Sequence, residues 1–164
     1  MKQLITIAAV VLVGCSNGTR MADVLVPPSD EKLITDPIVE TAVRKSLKKS
    51  EGELTEADLG NVIELILTDT QITDEGLKEM AKLQRLETLQ LSYTRITDAG
   101  IKEVAKSQQL GSLFLTDTQI TDAGIKDVAK LQKLKMLRIR GTKVTKVGVA
   151  ELKEALPNCI IYGP

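Results

Sequence analysis

Aliphatic residues recur along this chain with a period that neither a single helix nor a single strand produces. Positions one, four, six and eleven of four successive stretches of 24 residues are aliphatic, and the stretches begin at Val62, Leu86, Leu110 and Leu134. Positions four and six alternate with their neighbours, which predicts one buried face of a short strand. A repeat of this length indicates a solenoid whose units bury their apolar faces only against each other.

A Thr-Asp-x-Gly stretch follows the predicted strand in the first three copies and indicates the start of a helix. Apolar residues come after it at helical spacing, such as Ile101 and Val104 in the second copy. We expect Asp74, Asp98 and Asp122 to be the N-caps of these helices, which explains their recurrence better than a row of calcium ligands does. Each unit is therefore predicted to contain one strand and one short helix.

The repeated pattern resembles the leucine-rich repeat, L-x-x-L-x-L-x-x-N-x-L, over residues 62–162. Threonine takes the place usually held by asparagine or cysteine, at Thr70, Thr94, Thr118 and Thr142. The resemblance implies an α/β solenoid, a short curved stack with a parallel β-sheet on its concave face and short helices on its convex face. The Ile-Thr-Asp-x-Gly variant is similar to the repeats of bacterial surface proteins.

Both ends of the repeat array have patterns of their own. Upstream, Asp36 and Pro37 predict the start of a helix, and residues 36–61 resemble the helical N-terminal cap of internalin-like proteins. Downstream, an extra residue in the fourth copy predicts that Cys159, as a small apolar residue, takes position one of a closing strand and Tyr162 takes position four. The predicted repeat domain with this closing strand is 62–164.

The N-terminal residues indicate export and lipid attachment. Lys2 precedes an apolar run, residues 4–13, which is shorter than the roughly 20 residues that a membrane span needs. The residues that end at Cys15 resemble the lipobox of bacterial lipoproteins. This resemblance implies a signal peptide at 1–14 and acyl chains on Cys15, whereas the alternative is an ordinary signal peptide with an incidental cysteine.

The next segment, residues 15–35, contains Pro27 and Pro28 and no sustained periodicity, which predicts a lipid-anchored, flexible spacer. The lipoprotein resemblance implies a location in the bacterial cell envelope, anchored to a membrane through the N-terminal lipid. Ser16 directly after the lipid-bearing cysteine favours the outer membrane.

Composition removes most catalytic chemistry from consideration. The chain has no histidine, which excludes Ser-His-Asp and Cys-His catalysis and the usual zinc ligand sets. It has 22 basic and 22 acidic residues and a formal net charge of zero, so no overall field favours nucleic acid. We expect no enzymatic activity, no cofactor, no metal and no small-molecule substrate.

A binding site is expected on the concave face. Because positions four and six face the core, positions three, five and seven face outward, and position eight lies at the strand's exit. The candidate partner-binding residues are Ile66, Asp69, Gln90, Tyr93, Phe114, Asp117, Met136, Arg138 and Arg140. Exposed aromatic residues beside arginine are typical of binding hot spots. The alternative is that Phe114 and Met136 only shield each other across neighbouring strands.

These observations favour a recognition module that binds a protein or peptide. Two alternatives stay open, a structural envelope component held in a permanent complex and an unrecognised enzyme. A basic cluster on the cap helix, formed by Arg44, Lys45, Lys48 and Lys49, indicates a solvated helix end rather than a binding patch.

Overall fold

A computed structural model describes residues 32–163. The elements in chain order are α1 (Pro37–Leu47), α2 (Glu56–Leu59), β1 (Glu64–Ile66), a 3-10 helix (Gly76–Lys82), β2 (Thr88–Gln90), α3 (Asp98–Val104), β3 (Ser112–Phe114), α4 (Asp122–Val128), β4 (Met136–Arg138), α5 (Lys146–Ala155) and β5 (Ile160–Tyr162). Within this part of the chain, no helix combines the length and the apolar character that crossing a membrane requires. The signal peptide and the lipidation of Cys15 fall outside the described residues.

The five strands form one parallel sheet whose spatial order is the order of the chain. The register of the first four strands follows the sequence period, because Leu65, Leu89, Leu113 and Leu137 lie side by side. All four side chains are fully buried. The prediction of a parallel sheet built from repeated strand and helix units is therefore confirmed.

The core lies between this sheet and the short helices. Ile101 and Val104 of α3, and Ile125 and Val128 of α4, are buried against the sheet. The opposite surface of the sheet points away from the helices, and we call it the concave face. Its polar and aromatic side chains are those at positions three, five and seven of each copy.

The N-caps predicted at Asp74, Asp98 and Asp122 were each wrong by one residue. The 3-10 helix has Glu75 at its N-cap, without a capping hydrogen bond to its side chain. The N-caps of α3, α4 and α5 are Thr97, Thr121 and Thr145, whose hydroxyl oxygens accept from backbone N–H groups of their own helices. Asp98 and Asp122 are instead the first residues of α3 and α4. The threonine suffices as a cap because its hydroxyl reaches the N–H groups of the first turn.

Each aspartate holds the following copy. The carboxylate of Asp98 accepts from the backbone N–H of Thr121 at 2.8 Å and from its hydroxyl at 2.6 Å. A Cβ on Gly124 would lie 2.4 Å from the same carboxylate, so only glycine leaves room for it. We call this arrangement the Asp-Thr-Gly brace. It recurs as Asp74-Thr97-Gly100 and Asp122-Thr145-Gly148.

Helix α1 packs beside β1 and the 3-10 helix of the first copy. Asp36 caps α1 by accepting from the N–H groups of Ile38 and Val39. The predicted weaker capping box at residues 55–58 is present at α2. In the basic cluster, Arg44 pairs with Glu40 and Lys49 pairs with Asp58.

The folded part begins before Asp36, so the predicted spacer of residues 15–35 extends too far. Ile34 is only 2% exposed and belongs to the core. The N–H and the hydroxyl of Thr35 donate to Glu79 in the first copy, and Lys82 donates to the carbonyl of Leu33 at 2.7 Å. No local periodicity marks these residues, because they bind through contacts distant in sequence.

The closing strand exists, but its register differs from the prediction by one residue. Ile161 pairs with Leu137 and Tyr162 pairs with Arg138, so Tyr162 is at position five, on the concave face. Leu137 and Ile161 are 24 residues apart, as are Leu113 and Leu137, so the predicted extra residue of the fourth copy does not exist. Cys159 therefore takes position two rather than position one, and it packs partly buried against the core.

Candidate functional site

Arg138 lies between two aromatic rings on the concave face. Its guanidinium carbon is 5.3 Å from the centre of the Phe114 ring and 5.2 Å from the centre of the Tyr162 ring. Both distances are in the range of cation–π attraction. The sheet register causes this arrangement, because Phe114, Arg138 and Tyr162 occupy the same position on three neighbouring strands.

The register also bears on the alternative that Phe114 only shields Met136. Arg138 is the direct neighbour of Phe114 on β4, whereas Met136 is paired with Ser112 and Ile160. Phe114 is half-buried and Arg138 is exposed. The ring of Phe114 therefore supports an exposed cation.

Tyr162 is the site residue that sequence reasoning missed. It lies 24 residues after Arg138, and this spacing alone would have placed it at position five. The prediction missed it because it assumed an extra residue in the fourth copy, and the strand register shows none. Tyr162 is 47% exposed, so it adds a third aromatic ring to the concave face.

Tyr93 occupies an unusual backbone conformation at the exit of β2. Position eight is left-handed in every copy, with φ of 55° at Asp69, 58° at Tyr93, 53° at Asp117 and 72° at Gly141. Aspartate and glycine tolerate this region, whereas for other residues it costs about 1–2 kcal/mol. Tyr93 is 57% exposed and gains little from burial. Backbone strain of this kind at an exposed side chain is typical of functional sites.

An open groove of about 590 Å³ runs across these strands. Its lining residues are Thr68, Gln90, Ser92, Tyr93, Phe114, Thr116, Arg138, Arg140 and Tyr162. Five of the predicted residues are thus brought together, namely Gln90, Tyr93, Phe114, Arg138 and Arg140. The other four, Ile66, Asp69, Asp117 and Met136, do not line the groove.

The four remaining candidates lie on the strands or at their exits. Ile66 is 46% exposed at the outer strand, β1. Asp69 and Asp117 are exposed in the left-handed turns that follow β1 and β3, and Met136 is half-buried on β4. They surround the groove rather than forming its wall.

The groove offers binding chemistry rather than an evident nucleophile or metal site. Within residues 32–163, no cluster of three or more side chains is suited to hold a metal ion. Burial raises the pKa of the Cys159 thiol, which makes it a poorer nucleophile, and Cys159 is not among the groove residues. The groove's hydroxyl, amide, guanidinium and aromatic groups are those of a recognition surface.

Comparisons with known proteins support the fold. A leucine-rich repeat family model matches residues 61–81 and 82–105. An internalin from Listeria monocytogenes superposes with a TM-score of 0.57 at 21% identity, covering 73% of this chain and 34% of its own. A leucine-rich repeat protein from Leptospira interrogans has a TM-score of 0.50 at 24% identity, covering 66% of this chain and 27% of its own. This chain thus spans about a third or less of either structure.

No curated protein sequence matched the chain. The family match nevertheless falls on the first two copies, and the structure extends the same strand register to β5. Identity this low between solved structures and the chain indicates the fold alone. The matched repeats, the parallel sheet in repeat register and the short helices together show that this chain has the leucine-rich repeat fold.

Proposed function

We propose that this protein is a non-enzymatic recognition module of the bacterial cell envelope, anchored by lipid on Cys15, that binds a protein or peptide on its concave face. Leucine-rich repeat domains commonly bind protein partners, and the open groove on the concave face supports such a role for this chain. The observation that carries the proposal is the exposed Arg138 held between Phe114 and Tyr162. Aromatic and arginine side chains dominate the binding energy of protein interfaces.

The size of the concave face limits the affinity of a single site. Five strands about 4.8 Å apart give a face only about 20 Å wide, and a standard interface needs about 800 Å² on each partner. We therefore expect modest affinity from one copy. Anchored copies clustered on a membrane would gain avidity without new contacts.

The binding face is tested with photo-crosslinking in cells that express the protein. A photoreactive residue placed at Thr116, inside the groove, should capture a partner, whereas one at Lys102 on α3 should not. Replacing Phe114 with alanine should weaken this capture roughly tenfold, as the loss of a hot-spot side chain does. The melting temperature should stay nearly unchanged, because Phe114 is only half-buried.

The control for Phe114→Ala is Lys102→Ala, which changes the exposed surface of α3 and should leave capture unchanged. Equal capture from both positions, or none at Thr116, would show that the concave face is not the binding surface. Stable, stoichiometric co-purification of the captured partner would instead favour the permanent structural complex.

A further inference from the structure

Two arginines on the concave face have no acidic partner within the part of the chain that the structure describes. Arg138 and Arg140 are both exposed and both line the groove. They lie two residues apart on the same face, which is about 6.6 Å along a strand. The ion pairs of the domain use other cations, such as Arg44 with Glu40 and Lys49 with Asp58. Both guanidinium groups are therefore available to a ligand.

The charge around these arginines is uneven along the sheet. The fourth copy, residues 134–157, contains six Lys or Arg and two Asp or Glu, a net charge of +4. The three preceding copies, residues 62–133, contain nine basic and eleven acidic residues, a net charge of −2. The neutral overall balance of the chain hides this difference. The field at the C-terminal end of the groove therefore attracts anions.

Arg138 is already held in one place before any ligand arrives. Its guanidinium lies between Phe114 and Tyr162 at 5.3 and 5.2 Å, so less side-chain freedom is lost when it binds. A planar guanidinium forms two parallel hydrogen bonds with a carboxylate, which lysine cannot do. The two rings beside it offer contact area to an apolar side chain.

We propose that the groove binds an acidic segment of a partner protein, with carboxylates on Arg138 and Arg140 and an apolar side chain against Phe114 and Tyr162. This inference rests on the proposed function and names the chemistry of the partner. The segment lies over β3 to β5, because Arg138 and Arg140 are at this end of the face and the acid Glu64 is at the other. Glu64 is exposed on β1 and is held toward the groove by a hydrogen bond from Gln90 at 3.0 Å.

The test uses a short synthetic peptide in which glutamate alternates with serine around one central phenylalanine, and a second peptide with glutamine in place of glutamate. Calorimetric titration should give a Kd below about 1 mM for the acidic peptide and weaker binding for the neutral one. The double variant Arg138→Gln, Arg140→Gln should lose roughly tenfold or more in affinity, with an unchanged melting temperature. The matched control is Lys102→Gln, Lys126→Gln, which removes two exposed cations from the convex helices and should bind as the unmodified protein does.

Several outcomes overturn this inference. The inference is wrong if the acidic and the neutral peptide bind with equal affinity, or if the arginine variant binds the acidic peptide as tightly as the unmodified protein does. It is also wrong if the acidic peptide does not bind at concentrations up to about 1 mM. Binding of phosphatidylglycerol vesicles or inorganic phosphate that depends on both arginines, without a preference for the acidic peptide, would assign the groove to those anions instead. Self-association that the arginine variant abolishes would assign it to a second copy of this chain.

The proposed function fails separately from this inference. Suppose that the photoreactive residue at Thr116 captures a partner equally well with and without the two arginine substitutions. In that case the concave face binds a protein, but not through carboxylates of the partner. If nothing is captured at Thr116, the proposed function itself is wrong.

Discussion

A single carboxylate joins each repeat to the next. Asp98 accepts two hydrogen bonds from Thr121, and Gly124 leaves the space that its carboxylate fills. At the last of these braces, hydrogen bonds from the N–H and then the hydroxyl of Thr145 lower the pKa of Asp122. Each residue of the Thr-Asp-x-Gly stretch thus has a role. The threonine caps the helix, the aspartate accepts hydrogen bonds from the threonine of the next copy, and the glycine leaves room for the aspartate of the preceding copy.

The first prediction concerns Asp98. Replacing it with alanine leaves the N–H and hydroxyl of Thr121 without their acceptor, and we expect a loss of about 1–3 kcal/mol in the free energy of unfolding. Asp127→Ala is the matched control, because it removes only an ion pair with Lys130 on the surface, which is worth about 0–1 kcal/mol. Urea denaturation measures both. Equal losses in the two variants would mean that the brace stabilises the protein no more than a surface ion pair does.

The brace also predicts coupling between Asp98 and Gly124. The methyl group of Gly124→Ala would lie 2.4 Å from the carboxylate of Asp98 and should therefore destabilise the protein. In the Asp98→Ala background this clash is gone, so the double variant should lose less than the sum of the two single losses, by about 0.5–3 kcal/mol. Additive losses would contradict the proposed close contact.

At the scale of elements, the 3-10 helix of the first copy holds the segment that precedes α1. Acid and lysine pairs three residues apart recur in the outer helices, as Glu79 with Lys82, Glu103 with Lys106 and Asp127 with Lys130. Only Glu79 among these acids is buried, because residues 33–35 cover it and Thr35 donates to it. A surface pair of the repeat therefore becomes an attachment point for the N-terminal cap.

This attachment should weaken in acid. Burial raises the pKa of Glu79, but hydrogen bonds from Lys82 and Thr35 outweigh it, and the net pKa lies below the ordinary 4.5. Because the pKa of Glu79 is lower in the folded than in the unfolded state, its ionised carboxylate stabilises the protein at pH values above about 4.5. This stabilisation is lost as the pH falls through the lowered pKa. Glu79→Gln should thus be less stable at pH 7, by on the order of 2 kcal/mol.

The measurement is the urea midpoint of both proteins between pH 7 and pH 3. Other carboxylates also have lowered pKa values because they accept hydrogen bonds, so both proteins should lose stability in acid. The difference between them should shrink as the pH falls. A constant difference would show that the charge of Glu79 does not hold the cap.

At the scale of the whole molecule, contacts join mainly neighbouring copies. The strands pair consecutively from β1 to β5, and α3 packs between the 3-10 helix and α4. The core is a row of aliphatic side chains that runs through all copies rather than a central globule. Under the proposed function, the lipid on Cys15, outside this repeat array, attaches the protein to the membrane.

We expect the mature protein to begin at Cys15 and to partition into detergent. Anchoring by two or more acyl chains is stable, since each buried methylene contributes about 0.8 kcal/mol. Cys15→Ala should leave an uncleaved or water-soluble form, whereas Cys159→Ala, the control at the chain's other cysteine, should still partition into detergent. Mass spectrometry of the N-terminus identifies the modification. An unmodified chain that starts elsewhere would contradict the lipoprotein hypothesis.

The pattern of aliphatic residues is enough to predict the repeat, the fold class and the direction in which the side chains of each strand point. A strand alternates its side chains between two faces, so the aliphatic residues at positions four and six already assign Gln90, Phe114 and Arg138 to the other face. The caps at Asp36 and at residues 55–58 were also predictable, because capping acts within a few residues.

Which residues meet across copies became known only from the folded arrangement of the strands and helices. The partner of Asp98 is Thr121, the partner of Glu79 is Thr35, and Arg138 lies against Tyr162. These pairs are 23, 44 and 24 residues apart, respectively. Local propensity cannot rank such contacts, because their geometry depends on the strand register and on how neighbouring copies pack. The groove is built from these contacts, so its shape and the contact of Arg138 with the ring of Tyr162 emerged only from the folded chain.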